Sequence, residues 1–225
     1  MLFRSADLIT PDQKAYLSDY LARFIAMMSG PDFASAERGY PKWLHVDSWV
    51  DHALVRELAR DIDSYRLSTY LYKDADPDGG KFHAGPVWDF DRGFGNAGYY
   101  DAANPEGWSW LDGKRPTKLL ENPPPFWKRL LESPDFRAQM ACRWVQLRRG
   151  PWKTVAMTAH VNEWLTLTGR AVARDQARWK TINAPLDNAS PPRGSSYDAE
   201  VAWFLSWLGR RALWLDATLE PLCPR

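Results

Sequence analysis

The chain has 225 residues, and its 29 lysines and arginines nearly balance 28 aspartates and glutamates, for a formal net charge of +1. This balance creates no strong field to attract nucleic acid or an acidic membrane surface, so no nucleic-acid partner is expected. No apolar run of about 18 residues that would span a bilayer is present, and the start of the chain lacks the pattern of an export signal.

Two helices are predicted in the first part of the chain. Apolar residues at spacings of three and four begin after Thr10 and stop at Gly30. A second helical pattern covers residues 46–59, with Asp47 or Ser48 as the expected N-cap. Its predicted apolar face consists of Trp49, Val50, Ala53, Leu54 and Leu58.

A β-hairpin is predicted next. Residues 68–73 and 81–88 are rich in β-branched and aromatic side chains, and the Asp/Pro/Gly-rich segment 74–80 separates them. The alternating aspartates of that segment resemble the start of a calcium loop. However, residues 81–83 supply no closing glutamate, so a plain turn is favoured.

An acidic turn follows the hairpin, with Asp89 and Asp91 two residues apart in an aromatic, glycine-punctuated sequence. Like charges held close favour a bound cation or a shared proton between them. Gly93 and Gly95 permit sharp backbone turns that would leave both acids at the end of a strand. The alternative is a hairpin end whose aspartates cap local backbone N–H groups.

The rest of the chain reads as an aromatic loop followed by helices. Residues 97–125 are irregular yet aromatic, which is typical of a packed functional loop. A helical bundle is predicted beyond it, joined by one long proline-bearing connection at 183–196. The predicted helices cover residues 126–131, 134–147, 155–178 and 197–219.

The cysteine content leaves open whether a disulfide forms, and the tryptophan content favours a packing role for these residues. Cys142 and Cys223 are too few for a disulfide framework, and one disulfide or two unpaired thiols fit equally well. The 13 tryptophans are interpreted as core and helix-contact residues rather than as a sugar-stacking surface.

The order of the predicted parts is that of the C-terminal lobe of a protein kinase: helix, aspartate-containing loop, hairpin, acidic glycine turn and helices. Asp63 would be the base that accepts the substrate proton, and Asp89 the acid that holds magnesium at the ATP phosphates. Arg60 or Arg66 would add positive charge, although each is equally typical of an ordinary surface or helix-end arginine.

The sequence strongly resembles the CotH kinase family, the relatives of spore-coat protein H, over roughly residues 40–219. The acidic turn and the Asp63 block together form the specific part of the resemblance. The segments that carry it are 57–58, 63–74, 85–91, 93–96, 126–131, Phe136, 142–144, 147–148, 197–201, 207–208 and Arg211.

The resemblance implies an α+β, mostly helical fold: the C-terminal lobe of an atypical protein kinase with a small hairpin and a helical bundle. It implies phosphorylation of Ser or Thr on a protein substrate, with ATP and Mg²⁺ or Mn²⁺ as cofactors. Exported, cell-envelope and spore-coat locations occur in the family. The implied catalytic residue is Asp63, the metal ligands are Asp89 and Asp91, and the cofactor-binding residues are Arg66, Ser68 and Asn96.

Two departures from the family pattern are visible. Ser68 stands where an ordinary kinase has a metal-binding Asn, and a hydroxyl is a weaker ligand than an amide carbonyl. The N-terminal lobe is expected to be largely absent, because Lys14 falls in the first helix and Lys42 in a predicted loop. The chain alone is therefore expected to have little kinase activity.

The predicted organisation is a helical segment at 1–39 and a CotH-like C-terminal lobe at 40–225. Within that lobe, 60–96 is the catalytic loop and hairpin, 97–125 the aromatic loop and 126–219 the helical region. A non-catalytic scaffold of a coat or envelope assembly is the alternative function. A glycan-binding or hydrolytic domain is the third, with Asp89 and Asp91 roughly 6–7 Å apart on one strand.

Overall fold

The computed structural model describes residues 9–111, 124–182, 184 and 194–224. Within these residues, seven α-helices and a two-stranded antiparallel sheet form the regular structure, so the fold is mostly helical and α+β, as predicted. The described residues divide into two compact units. The first unit falls within the ranges Met1–Val46 and Tyr72–His83, and the second within Asp47–Leu71 and Ala84–Arg225.

The first unit is built on helix α1, Pro11–Ser29. The hydroxyl of Thr10 accepts the N–H of Gln13 at 3.2 Å, and the Gln13 side chain accepts the N–H of Thr10 at 3.1 Å. This reciprocal capping box fixes the start of the helix where the sequence predicted it. Lys14 lies in α1, whereas Lys42 lies in the short helix α2, Tyr40–Trp43, rather than in the predicted loop.

The predicted hairpin is confirmed, with shorter strands than expected: β1 is Leu71–Lys73 and β2 is Phe82–Ala84. The rings of Tyr72 and His83 stack across the two strands, with centroids 4.7 Å apart. In the turn, the Lys73 ammonium donates to Asp76 at 2.6 Å, and His83 is bonded to Asp74 at 2.6 Å. Both carboxylates therefore have partners within the chain, as in a plain turn.

The second unit begins with helix α3, Val46–Ala59, whose predicted apolar face is buried. The helix has the bounds of the predicted helical pattern, but Asp47 and Ser48 lie in its first turn, so the predicted N-cap is wrong. Helix α4, Pro125–Glu132, packs on it, with the Trp127 and Trp49 rings 4.4 Å apart.

Three longer helices follow: α5 (Pro134–Arg149), α6 (Thr154–Trp179) and α7 (Tyr197–Leu219). The ends of each helix lie within two residues of the predicted ends. Helices α5 and α7 pack together, and Arg148 grips Asp216 with two bonds of 2.8 and 2.9 Å. A disulfide joins Cys142 of α5 to Cys223 after α7, which answers the question the sequence left open. Most of the predicted 183–196 connection lies outside the described residues.

The burial of four tryptophans agrees with the prediction that these residues are core and helix-contact residues, whereas three others do not fit it. Four indoles are fully buried, and three others are more than half exposed. The buried ones are Trp49, Trp127, Trp144 and Trp207, and the exposed ones are Trp88, Trp164 and Trp179. No helix in the described part of the chain is long and apolar enough to cross a membrane.

The described part of the aromatic loop is packed, as predicted; residues 112–123 lie outside the described residues. Trp207 donates its indole N–H to the carbonyl of Ala103 at 2.8 Å. The buried guanidinium of Arg60 donates to the backbone carbonyls of Asp101 and Asn104. Arg60 is therefore a buried anchor of this loop and not the ordinary surface arginine that was one alternative.

Candidate functional site

The candidate site lies within the second unit and is formed by two segments. One follows the end of α3 at Ala59, and the other follows the end of β2 at Ala84. Arg60 adopts a left-handed backbone, with φ of 46°, and turns the chain away from the helix. The carboxylate of Asp61 then accepts the backbone N–H of Asp63 at 2.9 Å. This local bond closes a turn that presents Asp63 beyond the end of α3.

Asp63 is partly buried and is held by Arg66. The Nη2 atom of Arg66 donates to Asp63 Oδ1 at 2.6 Å, and both side chains keep some contact with solvent. A charge-assisted bond of this length fixes the direction of the carboxylate. The structure thus brings together the predicted catalytic aspartate and one of the predicted cofactor-binding residues.

Ser68 joins this loop to the acidic turn. Its hydroxyl donates to Asp89 Oδ2 at 3.0 Å, although the two residues are 21 apart in sequence. Both residues have a left-handed backbone, with φ of 50° for Ser68 and 62° for Asp89. Such strain in non-glycine residues is found mainly at functional sites. The loop of Asp63 and the turn of Asp89 therefore form one site.

The acidic turn is not the end of a strand, because β2 stops at Ala84. The expectation that Asp89 and Asp91 lie on one strand is therefore wrong, and the left-handed Asp89 breaks the alternation that a strand requires. Asp91 is exposed, with Arg92 Nε 3.6 Å away. Asn96 donates its amide to the carbonyl of Asp91 at 2.7 Å, so it acts on the turn's backbone.

The two glycines of the turn serve different purposes. Gly95 has φ of 75°, and a Cβ there would come within 2.5 Å of Trp203 and 2.7 Å of Trp207. Gly93 does not have a left-handed backbone. It lies close to Ala59, whose Cβ would be 3.3 Å from a Cβ added at Gly93. The predicted backbone freedom is therefore needed at Gly95, whereas Gly93 is needed for packing.

A protein-family model described as CotH kinase protein matches residues 5–215. The chain belongs to the CotH kinase family. No curated protein and no solved structure matched the chain. The family match spans nearly the whole chain and includes every residue of the candidate site, so the CotH resemblance seen in the sequence is confirmed.

Arg56 is a residue of this CotH site that the sequence analysis missed. Its side chain is fully buried and donates to Asp61 Oδ2 at 3.3 Å, to the Trp88 carbonyl at 3.2 Å and to the Ser68 carbonyl. Its guanidinium also lies 4.5 Å from the centre of the Phe90 ring. The sequence signal for Arg56 is a cation among the apolar positions of α3.

The sequence analysis did not identify Asp61 either, because its burial depends on the tertiary structure. Burial raises the pKa of Asp61 to about 6, although the Asp63 N–H and Arg56 favour its charged form. Burial likewise lowers the pKa of Arg56, and it lowers that of the neighbouring His52 to about 3, so His52 is neutral. The site therefore contains one buried cation and one buried acid whose pKa is raised by burial.

A second buried network supports the site from below. Glu57 accepts the Tyr65 hydroxyl at 2.9 Å, the Ser109 N–H at 3.0 Å and Arg211 Nη2 at 3.1 Å. Arg211 also donates to the Glu57 carbonyl at 2.8 and 2.6 Å. Helix α3, the loop that contains Asp63, the aromatic loop and α7 therefore meet at the Glu57 carboxylate.

The candidate site offers few of the oxygen donors that a magnesium ion requires. Within the described residues, no cluster of three or more His, Cys, Asp or Glu side chains is arranged to hold a metal ion. Magnesium, however, is usually bound by one or two carboxylates together with substrate phosphates. The Asp89 carboxylate, with the Ser68 hydroxyl beside it, supplies oxygen donors of that kind. The residues present fit one ion that shares its coordination with phosphate.

Proposed function

We propose that this CotH chain is an ATP- and divalent-metal-dependent protein kinase domain that phosphorylates Ser or Thr hydroxyls of a protein substrate. The observation that carries the proposal is the 3.0 Å bond between Ser68 and Asp89, because it joins the Asp63 loop to the acidic turn. The order of α3, loop, hairpin, acidic turn and helices supports a kinase-like C-terminal lobe.

Asp63 is the proposed base. It accepts the proton of the acceptor hydroxyl while that oxygen attacks the γ-phosphorus, and the bond from phosphorus to the β–γ bridging oxygen breaks to release ADP. Arg66, bonded to Asp63 Oδ1 at 2.6 Å, orients the carboxylate and adds positive charge on the nucleotide side. No covalent intermediate on the protein is needed.

Asp89 is the proposed metal ligand, with Asp91 as a second acid. Magnesium or manganese, when bound, would neutralise charge on the phosphates. Ser68 fixes the Asp89 carboxylate through its hydroxyl, and Asn96 fixes the Asp91 backbone. These bonds hold the acidic turn in one conformation, as preorganised electrostatic catalysis requires.

The exposed indole of Trp88 is the proposed platform for the nucleotide base. It is 62% exposed, directly precedes Asp89 and follows Val87, which is 47% exposed. A flat apolar ring beside a phosphate site is suited to stacking, which is worth about 1–3 kcal/mol per base in single-stranded nucleic-acid complexes. The backbone carbonyl of Trp88 accepts from Arg56, so the point at which the side chain leaves the backbone is fixed.

Transfer of labelled phosphate to a Ser/Thr-containing protein tests this function. We expect slow, metal-dependent transfer by the 225-residue chain, lost in Asp63→Ala and in Asp89→Ala. Robust transfer that both substitutions abolish would support the kinase function and refute the prediction of low activity. Transfer that persists in Asp63→Ala would refute the assignment of the base.

The alternative is a non-catalytic scaffold in a coat or envelope assembly, and it predicts no affinity for ATP or metal. Titration with manganese and ATP at high protein concentration separates the two. Absence of heat in the wild type would favour the scaffold and refute the kinase proposal.

A further inference from the structure

Arg56 lies behind the candidate site and touches both of its halves. Its side chain is fully buried, and its Nη2 atom donates to carbonyl oxygens on the catalytic loop, at Ser68, and on the acidic turn, at Trp88. Its Nη1 atom contacts Asp61. Its charge also acts on Asp63 and Asp89. One guanidinium therefore links two loops that are distant in sequence and bear the acids.

The hydroxyl and the carbonyl of Ser68 are both engaged in this arrangement. Its hydroxyl donates to Asp89, and its carbonyl accepts from Arg56. In protein kinases two magnesium ions are held, one by the acidic-turn Asp and the other by the catalytic-loop Asn. In this chain Ser68 stands at that Asn position. Its hydroxyl donates to Asp89, and the Arg56 guanidinium contacts its carbonyl.

We propose that Arg56 is a built-in cation that replaces the second metal ion, so that the site binds one divalent ion per chain. This inference rests on the proposed kinase function. A fixed guanidinium neutralises the carboxylates from behind, and its charge opposes entry of a second divalent ion. The two N–H bonds of Arg56 Nη2 keep a fixed angle in the guanidinium plane, so they fix the separation of the two loop carbonyls, which the freely rotating ammonium of Lys cannot do. Arg56 is thus a positioning residue.

The test counts manganese ions bound by the full chain in the presence of a non-hydrolysable ATP analogue, by electron paramagnetic resonance. The wild type should bind one ion. Arg56→Lys keeps the charge and loses the fork, so it should still bind one ion, with affinity lower by about 10–100-fold, the usual effect of losing a supporting contact to a metal site. The double variant Arg56→Met with Ser68→Asn removes the cation and restores an amide, and it should bind two.

Arg143→Lys is the matched control. Arg143 donates to the Asp51 carboxylate through two bonds, of 2.7 and 3.2 Å, and to the Gln146 side chain at 2.7 Å. These partners lie outside the candidate site, so Arg143→Lys should leave ion count and affinity unchanged. Two ions in the wild type would overturn the inference and leave the kinase function intact. Unchanged affinity in Arg56→Lys would refute the positioning role. No binding of manganese or nucleotide by the wild type would overturn both.

Discussion

Replacing Arg211 by methionine tests whether the network beneath the site holds the second unit together. The guanidinium is fully buried and donates to the Glu57 carbonyl and carboxylate. It also reaches the carbonyls of Pro105 at 2.9 Å and Gly107 at 2.7 Å. Methionine fills much of the same volume and satisfies none of these acceptors.

The expected loss follows from these contacts. Removing one partner of a buried ion pair costs about 3–5 kcal/mol, because the other charge remains buried without compensation. Burial already raises the pKa of Glu57, so the carboxyl will take up a proton in the variant and hold the loss near the lower limit. For a chain of this size, about 3 kcal/mol lowers the melting temperature by about 6–12 °C.

Thermal unfolding followed by near-ultraviolet circular dichroism measures this loss. Arg210→Met is the control, because Arg210 is the exposed neighbour of Arg211 on α7 and should change stability by less than about 0.5 kcal/mol. Adding Glu57→Gln to Arg211→Met should recover part of the loss, since it removes the uncompensated acid. A fall of less than about 2 °C in Arg211→Met would refute the reasoning.

Three further predictions concern a buried acid, the disulfide and an exposed ring. Asp61, with its raised pKa of about 6, stabilises the fold fully below its ordinary pKa and loses this contribution as pH rises through 6. In urea unfolding, wild type should therefore gain about 1 kcal/mol over Asp61→Asn from about pH 7.5 to pH 5, and a constant difference would contradict this. The double variant Cys142→Ser with Cys223→Ser removes a cross-link between residues 81 apart, so urea unfolding should show a free energy of unfolding lower by about 4 kcal/mol. A decrease below about 1 kcal/mol would contradict this prediction. Trp88→Ala should weaken binding of a fluorescent ATP analogue by about tenfold without changing stability, whereas Trp164→Ala, which removes an equally exposed ring, should leave it unchanged.

Helix positions could be predicted because they depend on local spacing. The α1 cap at Thr10, and α7 from Tyr197 to Leu219, follow from patterns that neighbouring residues establish by themselves. The strands were predicted too long, because β-propensity at residues 85–88 says nothing about which backbone groups find a partner. Whether the cysteines pair was also beyond the sequence, since it depends on how α5 meets the chain after α7.

The residues of the site divide along the same line. Asp63, Ser68 and Asp89 were proposed as site residues from their order along the chain and from the family resemblance, and the structure places Ser68 against Asp89. Arg56 and Asp61 were missed because their importance lies in burial and in contacts with carbonyls far along the chain, such as that of Trp88. A charged residue in an apolar helix face is the one local sign of such a contact.

The division of labour between Asp63 and Asp89 is tested most directly by calorimetric titration of the chain with magnesium and a non-hydrolysable ATP analogue. Saturable, metal-dependent binding is expected for the wild type. Asp89→Ala should abolish it, because the metal ligand is lost, whereas Asp63→Ala should bind within about threefold of the wild type, since a base acts on the acceptor hydroxyl. No heat with the wild type, or equal heat with Asp89→Ala, would contradict the account.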